Sequence, residues 1–172
     1  SDRRVIEMNP FLWKPILEGI ILRVRPREVS RKYRSIWLEQ GSPLMHYTRE
    51  QGRLLGERLP GVRVEVAMRY GQLSIGAALD RLHAQGVRRV AVLPAYPHYS
   101  ATTVASINDA VCAWIGRNRD GFEMRLHRSF PASPAYIDAL AVALEAHWER
   151  EGRPNFLAGE RVVVSFHSIP VA

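Results

Sequence analysis

From residue 48 onward, the apolar positions of the chain fall into two periods that alternate along it. Thr48 and Gln51 have the spacing of a capping box, which predicts a helix through Leu54, Leu55 and Leu59 that Pro60 stops. Val62, Val64, Val66 and Met68 then alternate with polar residues, as on a strand. Ser74 is placed to cap a second helix, with Ile75, Ala78, Leu79 and Leu82 inward and Gly86 just past its end. The short apolar run Val90-Ala91-Val92-Leu93 has the character of a strand covered on both faces. Ile107, Val111 and Trp114 mark a third helix, and Phe122, Met124 and Leu126 another strand. Ser133-Pro134 opens a helix with Ile137, Leu140, Leu144 and Trp148 on one face and Gly152 after it. Val162-Val163-Val164 reads as a last strand. Strand–helix–strand repetition with short links predicts an α/β fold, a doubly wound parallel sheet of about four strands with helices on both faces.

The segment before this alternation is less regular. Residues 8–22 carry roughly helical apolar spacing, but Pro10, Pro15 and Gly19 are expected to break any long helix. Two readings remain open for it: a core helix covering the sheet, or an apolar lip over a flat ligand or a bilayer surface. Charge adds to the second. Of 24 basic residues all but Lys14 and Lys32 are arginine, and the formal net charge is +7. Residues 1–34 hold nine basic against four acidic side chains, a local excess of +5 that suits an anionic partner. No nucleic-acid-binding motif or aromatic–basic interleave selects nucleic acid as that partner. The chain of 172 residues is long enough for one domain with its own core. Its lone Cys112 cannot form an internal disulfide, which fits the reducing cytoplasm. No apolar run reaches the ~18 residues of a membrane span.

In open parallel sheets, ligands bind beyond the carboxyl ends of the strands. The residues just past each predicted strand are Arg69-Tyr70-Gly71, then Pro94 through Ser100, then His127-Arg128 with Phe130, then His167-Ser168. One edge therefore collects an arginine-rich, aromatic, histidine- and hydroxyl-bearing set.

Several of these blocks carry a family resemblance. Ser165-Phe166-His167-Ser168-Ile169-Pro170 resembles the ferrochelatase signature around its active-site histidine. Tyr96-Pro97-His98-Tyr99-Ser100-Ala101-Thr102-Thr103 is similar to that family's strand-end motif. Met68 through Gln72 and Gln40 through Leu44 match two further blocks, and Trp13 through Leu22 resembles the lip segment of proteobacterial members. Five motifs in order cover essentially the whole chain. The resemblance implies a partial protein: most of the first of two similar halves, lacking an upstream strand and glycine-containing loop and a second half that bears an acidic residue facing the histidine. It casts residues 1–172 as a single α/β domain with a lip over 8–25.

Inserting Fe²⁺ into a porphyrin releases two pyrrole protons without net redox change. The site needs a base at neutral pH, a route for the metal, apolar walls that bend the ring and cations for the propionates. A neutral imidazole suits the first two tasks, and the resemblance assigns them to His167. It places Tyr33, Tyr70, Tyr96 and Phe130 at the porphyrin, where aromatic faces pack well, with Ser42 as a porphyrin contact and Arg69 suited to a carboxylate. His98, where glutamine is frequent, is a further candidate metal contact beside His167. Leu73 replaces a common proline, which leaves that loop less rigid. Ala101 stands where some members have a cluster-ligating cysteine, so no iron–sulfur cluster is expected; Fe²⁺ is a substrate and no prosthetic group is implied. The function expected is protoporphyrin ferrochelatase, making protoheme in the last step of heme biosynthesis, with porphyrin and ferrous iron as partners and peripheral membrane contact through the lip. The alternatives are a related chelatase for coproporphyrin or sirohydrochlorin, and a non-catalytic porphyrin-binding α/β module.

Overall fold

The computed structural model describes Arg4, Ile6 and residues 9–165. It begins with an unbroken helical run: α1 (Pro10–Ile16), a π-helical turn (Leu17–Ile21) and α2 (Leu22–Arg34). This corrects the expectation that prolines and Gly19 interrupt the segment. Asn9 caps the run, its side-chain oxygen accepting the Phe11 N–H at 3.0 Å, and Pro10 sits in the first turn, where an absent N–H costs nothing. Pro15 lies inside α1, and the helix widens into the π turn around Gly19 directly after it. Much of the apolar surface of this run faces solvent: Phe11 is 89% exposed, and Leu12, Ile20 and Leu22 are all more than half exposed, while Trp13, Leu17 and Ile21 are half-buried. It is an exposed ridge, not a core helix.

Helix α3 (Pro43–Arg58) starts earlier than the capping-box reading placed it. Pro43 supplies the first turn with Ser42 as N-cap, and Thr48 lies inside the helix with its hydroxyl donating to the Leu44 carbonyl at 2.7 Å. On its solvent face Arg53 bridges Glu50 and Glu57, holding the Glu50 carboxyl below its ordinary range. The residues after Pro60 form no strand, contrary to the alternation; Met68 alone makes an isolated bridge, to Ser74. Val64 and Val66 instead pack against α3, where Gly56 and Gly52 leave room for them. At the end of this stretch the Met68 N–H donates to the Leu73 carbonyl at 2.6 Å, closing a loop through Gly71, whose φ of +93° is in the left-handed region. Leu73 thus contributes to closing the loop through its backbone.

The core forms where α4 (Ile75–Ala84) and α5 (Ser106–Ile115) cover the sheet. The Ser74 side chain accepts the Ala77 N–H at 3.2 Å, and Ile75, Ala78, Leu79 and Leu82 are buried as their spacing predicts. Val111, Trp114 and Phe122 complete the cluster, with Val90, Val92 and Met124 packed beneath it. Trp114 stacks on Phe122 at 4.9 Å between centroids, and its indole N–H donates to Asp80 at 2.7 Å. The sheet itself has two strands, β1 (Arg89–Val92) and β2 (Glu123–Leu126), paired in parallel with Val90 opposite Met124 and Val92 opposite Leu126. A parallel pair needs a crossover, and α5 lies between the strands in sequence.

Other parts of the predicted sheet differ. Ala91 and Leu93 are exposed, so β1 is covered on one face and not both. Helix α6 (Pro134–Glu151) has the predicted bounds, with Ser133 before it and Gly152 after it, but Ile137, Leu140 and Leu144 remain exposed. Val162 to Val164 pair with no strand among the described residues, and Val163 is 86% exposed. A strand exists only with a partner backbone, and an apolar run supplies none by itself.

The α3 contact makes a specific prediction. A Cβ at Gly52 collides with Cγ2 of Val66, whereas at Gly56 the nearest atoms, on Val64, lie at an ordinary 3.8 Å. Gly52→Ala should therefore lose stability, about 1–3 kcal/mol as for overpacking. Gly56→Ala should be neutral or gain up to about 1 kcal/mol from helix propensity. Urea unfolding of both variants checks this, and equal effects would refute the packing described.

Candidate active site

The carboxyl ends of β1 and β2 point their following loops to the same edge of the sheet, and backbone hydrogen bonds join those loops. The His127 N–H donates to Val92 O at 3.0 Å, and the Phe130 N–H to Pro97 O at 2.9 Å. Side chains cross the same gap. The Arg128 guanidinium lies 4.5 Å from the Tyr99 ring centroid. Phe130 meets Tyr136 of α6 edge-on at 5.7 Å and His127 at 5.8 Å. Tyr96 and Tyr99 stand partly exposed on the first loop, and Phe130 is half-buried on the second.

The first loop ends in a capped π-helical turn, Ala101–Ala105, leading directly into α5. The Ser100 hydroxyl accepts the Thr103 N–H at 3.2 Å and bonds the Thr103 hydroxyl at 2.6 Å. Val104 and Ala105 are buried, and Ser106, which opens α5, is wholly buried. Arg69, from the loop after residue 68, reaches this point: its Nε–H donates to the Ser106 Oγ at 2.7 Å and the Ser106 carbonyl at 2.9 Å. Its guanidinium lies 4.9 Å from the ring centroid of Tyr70, which is itself exposed. The structure thus brings Arg69 and Tyr70 to the start of α5, and Tyr96 and Phe130 onto two loops that share backbone hydrogen bonds. Sequence reasoning passed over Ser106. The signal available was its place on the buried stripe of α5, four and eight residues before Ala110 and Trp114.

The other predicted residues divide between the N-terminal helices, the loop after β1 and the end of the chain. Tyr33 lies in the last turns of α2 and is about half exposed, and Ser42 is the N-cap of α3, its carbonyl accepting the His46 N–H. His98 is exposed on the loop after β1. His167 and Ser168 lie outside the described residues, two and three positions after the exposed stretch that ends at Ser165. Among the described residues no three His, Cys, Asp or Glu side chains converge as metal ligands.

Comparison with known proteins bears on the whole chain. A family model described as ferrochelatase matches residues 1–172. A protein named ferrochelatase from Methylibium petroleiphilum is 48% identical over 99% of this chain, a match that covers 47% of that protein. One named ferrochelatase 1 from Shewanella oneidensis is 44% identical, and a ferrochelatase from Stenotrophomonas maltophilia 43%, each over 99% of this chain and 51% of its own length. The chain therefore spans about half the length of the curated relatives it matches. No solved structure matches it. With the family model extending over every residue, the strand-end loops included, the chain belongs to the ferrochelatase family.

Proposed function

We propose that this chain forms one side of the active site of a protoporphyrin ferrochelatase, which inserts ferrous iron into protoporphyrin IX to give protoheme, the last step of heme biosynthesis. The observation that carries the reading is the family match over residues 1–172, including the histidine motif and the strand-end loops. The substrates, porphyrin and Fe²⁺, follow from that family membership. His167 is the base: a neutral imidazole can accept a pyrrole proton and also hold Fe²⁺ on its way in. Arg69 faces a propionate, as a planar guanidinium suits a carboxylate. Tyr70, Tyr96 and Phe130, with Tyr33 and Ser42 from the N-terminal segment, contact the macrocycle, and His98 is a second metal contact. Ala101 offers no thiolate, so the enzyme works without an iron–sulfur cluster at this position.

The same reading extends to architecture. We read residues 1–172 as one α/β unit of a doubly wound fold, in which the open face of β1 and the apolar stripe of α6 are covered in the full-length protein. What supports this is the coincidence of Ala91 and Leu93 exposed on one element with Ile137, Leu140 and Leu144 exposed on the other. Among the described residues no helix is long and apolar enough to cross a membrane. Residues 8–25 then act as a lip that rests on a bilayer from the cytoplasmic side, supported by exposed Phe11, Leu12 and Ile20 and the +5 charge of residues 1–34.

Three outcomes test these readings. With Fe²⁺ and protoporphyrin IX under anaerobic conditions, loss of porphyrin fluorescence reports turnover. Full-length protein should turn over, His167→Ala should be slower by ~10²–10⁴-fold or more, and residues 1–172 alone should be inactive because one wall of the cleft cannot position and bend the ring. Full activity in His167→Ala, or equal rates for the 172 residues and the full-length protein, would place the chemistry elsewhere. In hydrogen exchange of the full-length protein, α6 amides should be protected as strongly as those of α5; fast exchange in α6 would count against the doubly wound arrangement. In flotation, vesicles containing about one-third phosphatidylserine should carry the full-length protein, and Phe11→Ser with Leu12→Ser should release it. Retention of that double variant would sink the lip contact.

A further inference from the structure

Arg69 is tied to a residue 37 positions away that the proposed chemistry leaves unused. Its Nε–H donates to both oxygens of Ser106, Oγ at 2.7 Å and the carbonyl at 2.9 Å. Ser106 has no exposed surface, opens α5 and shares its buried stripe with Trp114. The carbonyl alone would satisfy one N–H, and alanine would suit the start of a buried helical stripe better than serine does. The hydroxyl thus adds a second acceptor on one edge of the guanidinium, while the Tyr70 ring lies 4.9 Å from its carbon. An edge and a face of a planar group are enough to set its orientation.

We propose that Ser106 is a positioning residue, whose buried hydroxyl fixes the plane and heading of the Arg69 guanidinium and thereby sets the affinity of the site for a porphyrin carboxylate. This rests on the reading of Arg69 as the carboxylate-binding residue and deepens it. Arginine carries about 2 kcal/mol of rotamer entropy, and a donor ordered before the ligand arrives does not lose that freedom on binding. A bidentate pair is sensitive to the plane of the fork, so the effect of Ser106 falls on substrates with a free carboxylate. The π turn and Ser100 cap set the approach to Ser106, and Trp114 anchors the helix eight residues on, so the acceptor is held by the core and not by the mobile end of a side chain.

The test uses the full-length protein, with KM and kcat measured for protoporphyrin IX and for its dimethyl ester. Ser106→Ala should raise KM for the free acid about 3–10-fold, the scale of the net contribution of one ordinary hydrogen bond, since the Ser106 carbonyl remains as an acceptor. It should leave kcat within about twofold and the KM of the ester unchanged. Ser106→Thr, which keeps the hydroxyl, should restore the original KM, and in an Arg69→Ala background Ser106→Ala should add nothing. An unchanged KM in Ser106→Ala where Arg69→Ala raises it overturns the positioning role alone. Equal rises for acid and ester overturn it too, since a general loosening of the fold would act on both. If Arg69→Ala leaves KM unchanged, the reading of Arg69 is at fault and the proposal falls with it. Should Ser106→Ala fail to fold, the Nε–H of Arg69 in the unaltered protein decides, assigned in ¹⁵N spectra by its loss in Arg69→Lys. Slow exchange with solvent supports the bond to Ser106, and exchange at the rate of a solvated arginine overturns it.

Discussion

Trp114 is the side chain on which the arrangement of the sheet edge depends. It is 1% exposed, stacks on Phe122 at the entrance to β2, and donates its indole N–H to Asp80 of α4. One residue of α5 thereby fixes the helix before β1 and the strand that pairs with β1. His83, at the end of α4, adds an edge-on contact to the same rings and a hydrogen bond to Asp120 at 3.1 Å, which ties down the turn before β2. A buried tryptophan of this kind contributes on the order of 3–5 kcal/mol by the cost of its removal, a large share of what a domain has in reserve. The two strands then leave the core with their carboxyl ends level, Val92 opposite Leu126, and their loops reach the same edge.

How far the sequence foretold this divides along a physical line. Helices whose signals are local were legible: Ser74 before α4, Ser133-Pro134 before α6 and Gly86 after α4 act within one turn of the residues they cap. The buried stripe of α4 was read residue by residue. Signals that need a distant partner failed. Val62 to Met68 alternate as a strand would, yet Gly52 and Gly56 make α3 the partner of Val64 and Val66, and a helix groove accepts the alternate face of an extended chain as well as a sheet does. Thr48 has a capping residue's chemistry, but its hydroxyl can equally bond the carbonyl four residues back, and Pro43 is the stronger start signal. Proline was over-read in α1, since a proline at a first turn is harmless and a π turn can follow one inside a helix.

The candidate site was legible in a different way. Arg69, Tyr70, Tyr96 and Phe130 were identified from position after strands and from motif resemblance, and their loops do lie at strand ends or at the start of α5. His167 was identified from its motif, while its placement falls outside the described residues. Ser106 escaped because a serine among apolar residues at a helix start has no distinctive pattern; its meaning lies in a contact 37 residues away.

Helix α5 joins the core to the loop that carries Arg69. Ala110 and Trp114 continue the row that Ser106 begins, so one face of one helix is apolar toward the core and polar toward the site. A π turn immediately before it adds a residue relative to a regular helix, which turns the preceding side chains with respect to those that follow. Val104 and Ala105 remain buried through that change, and Ser100 keeps the cap. The loop Tyr96 to Ser100 can therefore arrive at an angle suited to the strand end, and α5 can leave at an angle suited to Trp114. Without that adjustment one of the two would have to yield. A helix required to satisfy both a core and a neighbouring loop is a reason for the irregular turn to stand at this point of the chain.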